Sequence, residues 1–332
     1  MKNWKRFTFP KLFNLTKLVT SYYVSIWLKR PVQWGLPDSV SIEPTTSCNL
    51  RCPECPSGLR SFTRPTGMMD LALFQKIIDQ MHHHLMYLTL YFQGEPYLHP
   101  HFFDLVKIAS ANVYVATSTN AHYLNPSNAF KTVESGLDKL IISIDGTSQD
   151  TYESYRIGGE LNKVLEGTKN IVQAKKDLKS KSPKIIFQFL VVAHNEHQIE
   201  EAKQLAKEYE VDDIVFKTAQ IYDYKNGSNL IPQQDKYSRY KLNTQTSEYQ
   251  IKNKLPNQCW RMWHSCVLTW DGTIVPCCFD KDAKHALGSI QDKDFKTIWF
   301  SEAYRTFRMK LLKGRKHIDI CQNCSEGGKV FG

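Results

Sequence analysis

Between about residues 39 and 221, strand-type segments alternate with helix-type segments, and this rhythm constrains the fold more than any other feature. Helical periodicity is clear at residues 70–81 and 196–209, where apolar side chains recur every three or four positions. The segments between the helical ones are short and rich in Val, Ile, Phe and Tyr, as expected of strands buried on both faces. The predicted strands are residues 39–43, 87–92, 112–118, 139–144, 184–193 and 213–221.

Six βα alternations predict an α/β fold with a parallel sheet and right-handed crossovers. Six units are too few to close an eight-stranded barrel, so we expect a partial (β/α)6 TIM-like barrel over residues 38–221. Its active site should lie at the carboxyl ends of the strands. Residues 1–37 are predicted to form a basic amphipathic arm, and the polar residues 222–258 a connector. Residues 259–332 should form a small C-terminal domain that is stabilised partly by bound metal.

The net charge of the 332-residue chain is +10, and most of it lies in the N-terminal arm. No acidic residue precedes Asp38, whereas seven basic residues do. The nearly balanced remainder argues against a nucleic-acid partner. The arm is expected either to pack on the barrel as a helix or to make peripheral contact with anionic lipid or an acidic partner. The sequence shows no signal peptide and no membrane span, so a cytoplasmic protein is expected.

Nine cysteines fall into two groups, and without a secretion signal such groups indicate metal ligands in a reducing compartment. Cys48, Cys52 and Cys55 form a CxxxCxxC motif directly after the first predicted strand. Three thiolates can hold three irons of a 4Fe-4S cubane and leave the fourth iron open to a small molecule. A structural cluster or zinc site normally has four protein ligands. The histidines at positions 82–84 lie at the end of a predicted helix and are expected to face solvent.

This motif and its position resemble those of the radical S-adenosylmethionine (SAM) enzyme family. The resemblance implies that the open iron of a 4Fe-4S cluster binds SAM. It also implies an external electron donor such as flavodoxin or ferredoxin, cleavage of SAM to a 5′-deoxyadenosyl radical, and abstraction of hydrogen from a substrate. One departure is Glu54, where the family usually has an aromatic residue before the last cysteine.

Further segments resemble the SAM-contacting motifs of that family in the expected order. The sequence Gln93-Gly94-Glu95-Pro96 is similar to a Gly-Gly-Glu-Pro turn that binds the SAM amino group, and Ser143 begins a Ser-x-Asp-Gly sequence whose serine meets the ribose. Arg156 suits the SAM carboxylate by its bidentate geometry, with a surface salt bridge as the alternative. Val191 matches an adenine-contacting position, with plain core packing as the alternative. The resemblance therefore implies six cofactor-binding residues: Gly94, Glu95, Asn120, Ser143, Arg156 and Val191.

The C-terminal cysteines resemble those of the auxiliary iron-sulfur domain in the SPASM and shorter twitch branches of the family. Asp271-Gly272 predicts a hairpin turn that would bring Cys259 and Cys277 together across two short strands. The resemblance implies one auxiliary 4Fe-4S cluster, whose ligands would be Cys259, Cys277, Cys321 and Cys324. Two alternatives remain open. Cys266 or Cys278 could replace one of these ligands, or the same thiolates could hold zinc.

Three hypotheses for the function are compatible with these motifs. The first is oxidative modification or cross-linking of a peptide or protein, and the second is dehydrogenation of a small polyol or amino sugar. The third is a metal-stabilised binding or electron-transfer protein without SAM chemistry, which would form no 5′-deoxyadenosine. The sequence does not select a proton acceptor among five candidates: His99, His122, Tyr222, Asp223 and His264.

Overall fold

The computed structural model of the chain describes residue 6, residues 8–328 and residue 330, and nine of its strands form one sheet. The strands are β1 (Ser39–Ile42), β2 (Tyr87–Thr89), β3 (Tyr114–Thr119), β4 (Lys139–Ser143), β5 (Lys184–Val191), β6 (Asp213–Thr218), β7 (Tyr240–Asn243), β8 (Glu248–Ile251), β9 (Ser265–Leu268), β10 (Thr273–Val275) and β11 (Gly288–Ser289). The helices are α1 (Phe9–Leu28), α2 (Pro56–Leu59), α3 (Leu71–Met81), α4 (Phe102–Ser110), α5 (Pro126–Glu134), α6 (Gln149–Tyr155), α7 (Leu161–Asp177), α8 (Ile199–Glu208), α9 (Arg261–His264), α10 (Phe295–Trp299), α11 (Glu302–Gly314) and α12 (Asp319–Gln322). Among the described residues, none of the helices combines the length and apolar character needed to cross a bilayer.

Strands β1 to β6 lie side by side in chain order and pair in parallel, which confirms the predicted α/β architecture of a partial barrel. The C-terminal segment continues this sheet. Strand β9 pairs in parallel with β1, from Ser39 opposite Ser265 to Ile42 opposite Leu268. Strands β10 and β11 extend the sheet in antiparallel orientation. The barrel and the C-terminal domain therefore share one hydrogen-bonded sheet.

The prediction of burial on both faces holds for the middle of β3 and β5, whereas the two faces of β1 and β2 differ. Side chains on one face, such as Val40, Leu88 and Leu140, are fully buried against the surrounding helices. Side chains at the alternate positions, such as Ser39 and Thr89, point to the other face and are only partly buried. We call this second face, formed by β1–β6 and β9, the lumen. Its polar character suits a site that receives ligands.

Helix α1 crosses the amino ends of the barrel strands. Just before it, Arg6 pairs with Asp138 at 2.5 Å, directly before β4. Lys11 is buried and donates to a backbone carbonyl that precedes β3, at 2.6 Å. Near the end of the helix, Tyr22 packs edge-on against Trp263, which precedes β9. Packing on the barrel is therefore observed for the inner face of α1.

Residues 222–258, predicted as a connector, contain a separate two-stranded hairpin of β7 and β8. Tyr240 of this hairpin is buried. Its hydroxyl accepts a hydrogen bond from the Ile221 amide at 2.8 Å and contacts Oδ1 of Asn323 at 2.8 Å. The hairpin thus joins the end of the barrel to the last cysteine pair.

The histidines at positions 82–84 do not all face solvent, so that expectation is wrong for one of them. His84 is buried, and burial lowers its pKa to about 4. Its ring stacks at 6.4 Å on Phe295 of α10, an element that the helical pattern before His84 does not reveal.

Candidate active site

The three cysteines of the CxxxCxxC motif lie on the loop between the carboxyl end of β1 and α2: Cys48, Cys52 and Cys55. The amide of Arg51, within this loop, donates to the carbonyl of Ile157 at 3.0 Å. Gly58 packs so tightly on the loop that a Cβ atom there would lie 2.5 Å from the backbone nitrogen of Cys52. The loop is therefore fixed against the barrel at the carboxyl edge of the sheet, where the sequence predicts the active site.

All three cysteines are free thiols, and the environment of Cys48 and Cys52 disfavours an isolated thiolate. Burial raises the pKa of Cys48 to about 12 and also raises the pKa of Cys52. Arg156 opposes the shift at Cys52, because its Nη1 atom lies 3.8 Å from the Sγ atom. Iron deprotonates thiols that burial alone keeps protonated, and three soft sulfur donors on one loop match three irons of a cubane. The residues present therefore fit a 4Fe-4S cluster with one open iron.

The turn after β2 is joined to the first cysteine loop by its backbone. Gly94 has a φ of +75°, and a Cβ atom there would lie 2.3 Å from a backbone carbonyl oxygen of that loop, so only glycine fits. Its amide donates to the hydroxyl of Ser57 at 2.9 Å. The next amide, that of Glu95, donates to the carbonyl of Ser47 at 2.7 Å. These bonds fix the turn beside the cysteines.

The carboxylate of Glu95 is buried and engaged by groups at the end of β3. It accepts hydrogen bonds from the Thr119 hydroxyl and the Asn120 amide, both at 2.7 Å. Burial raises its pKa to about 7, and these hydrogen bonds oppose the rise. Asn120 in turn donates from Nδ2 to Oδ1 of Asn49 in the first cysteine loop at 2.8 Å. Glu95 and Asn120 therefore position the turn and the loop relative to each other.

Ser143 and Arg156 lie at the carboxyl end of β4 and beyond it. The Nε atom of Arg156 donates to Oδ2 of Asp145 at 2.5 Å, and this carboxylate is fully buried. The salt bridge is therefore an internal one, and it holds the guanidinium against the first cysteine loop. Ser143 is also buried, with its hydroxyl 3.5 Å from that of Ser118 on the neighbouring strand. Five of the six implied SAM-binding residues thus gather at one edge of the sheet.

Val191 is the sixth, and its side chain points away from that edge. It is fully buried with Phe189 and Ile199, under α8, so the core-packing alternative describes it. The neighbouring Leu190 is on the lumen side and packs against the group that contains Cys52. Adjacent residues of a strand face opposite sides of the sheet. An error of one residue in the alternation therefore exchanges the lumen-facing position with the core-facing one. The sequence reasoning did not consider Leu190, which is the residue of this pair on the lumen side.

Four cysteines of the C-terminal domain share one neighbourhood: Cys259, Cys277, Cys321 and Cys324. Burial raises the pKa of Cys277, and negative charge on Cys278, and then on Cys259 and Cys321, raises it further. The buried guanidinium of Arg315 lies 3.2 Å from Sγ of Cys324, and its charge opposes the rise that burial causes in the pKa of Cys259 and Cys321. In the described part of the chain, no three Cys, His, Asp or Glu side chains converge on a single metal ion. The ligands of a cubane instead bind separate irons.

The two remaining cysteines of this domain differ in position. Cys266 lies opposite Val40 on the helix-covered face of the sheet, and burial beside Tyr304 raises its pKa to about 12. It belongs to the core. Cys278 borders the lumen, with its Sγ atom 4.0 Å from Nη1 of Arg261. Of the two, only Cys278 lies next to the assigned set of four.

A cavity of about 400 Å³ lies in the lumen, between β1, β2, β9 and the C-terminal domain. Hydroxyl groups and two basic side chains supply most of its polar lining: Ser39, Ser41, Thr89, Tyr91, Ser265, Arg261 and His264. Cys277 and Cys278 border the same cavity. A molecule held here would touch both the barrel and the edge of the auxiliary cysteine site.

A second, more open groove of about 540 Å³ lies at the mouth of the barrel. Its walls are the segment after the first cysteines, the start of the hairpin region and the C-terminal domain, at residues 56–61, 220–225, 279–284 and 319–323. The rim is charged, with Lys225 and Lys284 exposed beside Asp223. We call this feature the mouth groove.

The five candidate proton acceptors differ in their location and in their hydrogen-bond partners. Both ring nitrogens of His99 have backbone partners, at 2.8 and 3.1 Å, and those of His122 are similarly engaged. Tyr222 and Asp223 lie on the mouth groove. His264 lines the lumen cavity, where its Nδ1 atom lies 2.8 Å from Oδ1 of Asp38.

Two family models match the chain. Residues 42–214 match the radical SAM superfamily, and residues 259–325 match SPASM, an iron-sulfur cluster-binding domain. A tungsten-containing aldehyde ferredoxin oxidoreductase cofactor-modifying protein of Pyrococcus furiosus is 26% identical over 318 residues, which cover 86% of each chain. The mycofactocin maturase MftC of Mycobacterium ulcerans is 29% identical over 175 residues, which cover 52% of this chain and 45% of that protein.

Solved structures share the fold at low sequence identity. SuiB of Streptococcus suis, bound to SAM, has a TM-score of 0.64 at 14% identity and covers 89% of this chain and 73% of its own. BtrN, in complex with AdoMet and 2-DOIA, has a TM-score of 0.54 at 18% identity. That alignment covers 89% of this chain and 95% of the BtrN chain. The protein anSMEcpe with bound AdoMet has a TM-score of 0.59 at 18% identity. That alignment covers 82% of this chain and 80% of the anSMEcpe chain.

Proposed function

Because the chain belongs to the radical SAM superfamily and carries its SPASM domain, we propose that it oxidatively modifies or cross-links a side chain of a peptide or protein. When bound, the first cluster and SAM supply a 5′-deoxyadenosyl radical that removes a hydrogen atom from the substrate. The residues of the chain hold, orient and shield these groups at the carboxyl edge of the sheet. The mouth groove is the observation that carries the choice of a peptide.

Each part of the site has a role in this proposal. Cys48, Cys52 and Cys55 hold the SAM-binding cluster. The internal bonds of Glu95 and Asn120 fix the turn that receives the SAM amino group. Arg156, held by Asp145, presents its remaining donors to the carboxylate of SAM, as bidentate geometry favours.

The mouth groove suits a polypeptide for two reasons. It is open to solvent, and it runs between the segment after the first cysteines, the segment before β7 and the C-terminal domain, which suits an extended chain. Its rim presents both Lys and Asp side chains, which can recognise charges on a peptide. One side chain of that peptide could then enter the lumen cavity. Relatives of this architecture include SuiB bound to its precursor peptide SuiA and anSMEcpe bound to the Cp18Cys peptide.

A second candidate function is dehydrogenation of a small polyol or amino sugar. The lumen cavity favours it, because about 400 Å³ lined by hydroxyl groups would enclose a small polar molecule. The Asp38–His264 pair would then offer a base at the cavity wall.

One experiment separates these candidates. The full chain is reconstituted anaerobically with iron and sulfide, reduced, and incubated with SAM and either a peptide library or a set of polyols and amino sugars. The proposal expects 5′-deoxyadenosine together with a peptide that has lost hydrogen, observed by mass spectrometry. Oxidation of a polyol with no change in any peptide would favour the second candidate. Absence of 5′-deoxyadenosine under all conditions would exclude both.

A further inference from the structure

Helix α1 has an outer face with four aromatic side chains that the rest of the described chain leaves exposed. We propose that this face docks the protein on an anionic phospholipid bilayer, with α1 lying flat in the lipid–water interface. This inference concerns the edge of the barrel opposite the active site and is independent of the substrate. It rests on the exposure of the aromatic residues, the packing of the inner face of α1 on the barrel and the positive charge of the segment.

The exposed residues of α1 form a stripe along the helix. Phe9 and Trp27 are each 80% exposed, and Phe13 and Tyr23 are each more than half exposed. Positions 9, 13, 16, 20, 23 and 27 share one helix face, on which the exposed Thr16 and Thr20 lie between the two aromatic pairs. We call Phe9, Phe13, Tyr23 and Trp27 the aromatic stripe. Four exposed aromatic side chains on one helix face differ from the singly scattered apolar residues that are normal on a protein surface.

The opposite face of α1 is seated on the barrel. Leu18 and Tyr22 are buried there, and Ser25 accepts a hydrogen bond from the indole of Trp263 at 3.1 Å. The helix has 20 residues and is therefore about 30 Å long. A helix held in this way cannot turn its stripe inward. Its outer face would meet a flat partner along its length.

The charges around the stripe select the kind of partner. All charged residues of positions 1–37 are basic. Lys17 lies over the Phe13 ring at 4.5 Å, and Lys29 and Arg30 are exposed where the helix ends. Aromatic rings at the interface, with Lys and Arg beside anionic headgroups, are the pattern of helices that lie on membranes.

Two other occupants fit less well. A second copy of this chain, paired through the same face, would bring basic residues against basic residues, because such pairing is self-complementary. An acidic electron donor must approach the SAM-binding cluster, whereas α1 lies at the amino ends of the strands, opposite the first cysteine loop. An anionic bilayer meets both the apolar and the basic parts of the surface.

Vesicle co-sedimentation of the full-length, reconstituted protein tests the proposal. We expect binding to vesicles that contain phosphatidylglycerol, weaker binding as salt increases, and little binding to phosphatidylcholine alone. The double variant Phe9→Ser/Trp27→Ser should bind at least about tenfold more weakly, since it removes apolar area from the interface. The variant Lys17→Glu/Arg30→Glu should also lose binding. Phe130→Ser, which changes an exposed aromatic residue of α5, is the matched control and should bind as the wild type does.

These substitutions change exposed side chains, so circular dichroism and iron content should match those of the wild type. Absence of binding to phosphatidylglycerol vesicles at low salt would overturn the proposal. So would equal loss of binding in the Phe130→Ser control. Sedimentation velocity gives the third outcome: a wild-type dimer that Trp27→Ser converts to a monomer would assign the stripe to a second copy instead.

Discussion

The Nη1 atom of Arg156 lies 3.8 Å from the Sγ atom of Cys52, so a guanidinium from beyond β4 contacts the first cysteine loop. The Nε atom of the same guanidinium donates to the buried Asp145 carboxylate at 2.5 Å. One side chain thereby links the end of β4 to Cys52, which we propose as a ligand of the SAM-binding cluster. Its charge also favours the thiolate form of Cys52.

Substitution of Arg156 should separate its structural and SAM-binding roles. Arg156→Ala leaves the buried Asp145 without its partner and should lower the free energy of unfolding by about 3–5 kcal/mol. Arg156→Lys keeps the charge but loses the planar fork, so most of the stability should remain while SAM binding weakens by about tenfold or more. Urea denaturation and equilibrium dialysis with SAM measure the two effects. Wild-type SAM affinity in Arg156→Lys would show that the guanidinium does not meet SAM.

The first three cysteines should carry all SAM cleavage. In the triple Cys→Ala variant of Cys48, Cys52 and Cys55, we expect no 5′-deoxyadenosine and about half of the iron, because two cubanes hold about eight irons and one remains. Liquid chromatography of the products and iron analysis test this. Cleavage of SAM by the triple variant would refute the assignment.

Three single variants should identify the auxiliary ligands. Cys277→Ala should lose about half of the iron, because Cys277 lies among the four assigned cysteines. Cys266→Ala should keep its iron, because Cys266 lies on the helix-covered face of the sheet. Cys278→Ala should also keep it. Full iron in Cys277→Ala with loss in Cys278→Ala would move the ligand by one position, and zinc in place of iron would make the domain structural.

Leu190 and Val191 should respond differently to truncation. Leu190→Ala should weaken SAM binding with a small effect on stability, because Leu190 is on the lumen side and only partly buried. Val191→Ala should cost about 1–3 kcal/mol of unfolding free energy through the cavity it leaves, with SAM affinity unchanged. Calorimetry of SAM binding and urea denaturation compare them. The reverse pattern would restore the role that the family resemblance implied for Val191.

Buried Lys11 should make stability depend on pH. Burial, with a smaller contribution from nearby Arg6, lowers its pKa from 10.5 to about 8. Between these pH values the folded chain holds fewer protons than the unfolded chain, so the contribution of Lys11 raises the unfolding free energy as pH rises from about 8 to about 10.5. Lys11→Met should remove this rise, whereas Lys17→Met, at an exposed position of the same helix, should retain it. Equal pH slopes in the two variants, measured by urea denaturation, would contradict the burial of Lys11.

Local sequence patterns were sufficient for the barrel but not for its connection to the C-terminal domain. The six predicted strands occur in order because each is an apolar run bounded by a helix. The structure shortens five of them by one to three residues at the carboxyl end and moves β3 from 112–118 to Tyr114–Thr119. The pairing of β1 with β9 joins segments more than two hundred residues apart, and no pattern within β9 specifies its partner. A strand of four residues could equally begin an independent domain.

At the site, residue identity was easier to infer than side-chain direction. Gly94 follows from its motif, and its positive φ and close contact with the first cysteine loop explain why glycine is required. Val191 and Leu190 are both apolar, so the sequence cannot say which one points to the lumen. The same limit applies to Glu95, because the acidic residue is evident but its bonds to Thr119 and Asn120 depend on a neighbouring strand.

The ladder between β1 and β9 also fixes the two groups of cysteines relative to each other. The first cysteine loop leaves the carboxyl end of β1, whereas Cys277 follows β10, which runs back toward the amino ends. The two cysteine groups therefore lie toward opposite ends of the same strands. If both groups hold clusters, the separation of those clusters would be set by backbone hydrogen bonds of a single sheet and not by a flexible linker. Thermal motion of a linker would then not change the distance between them.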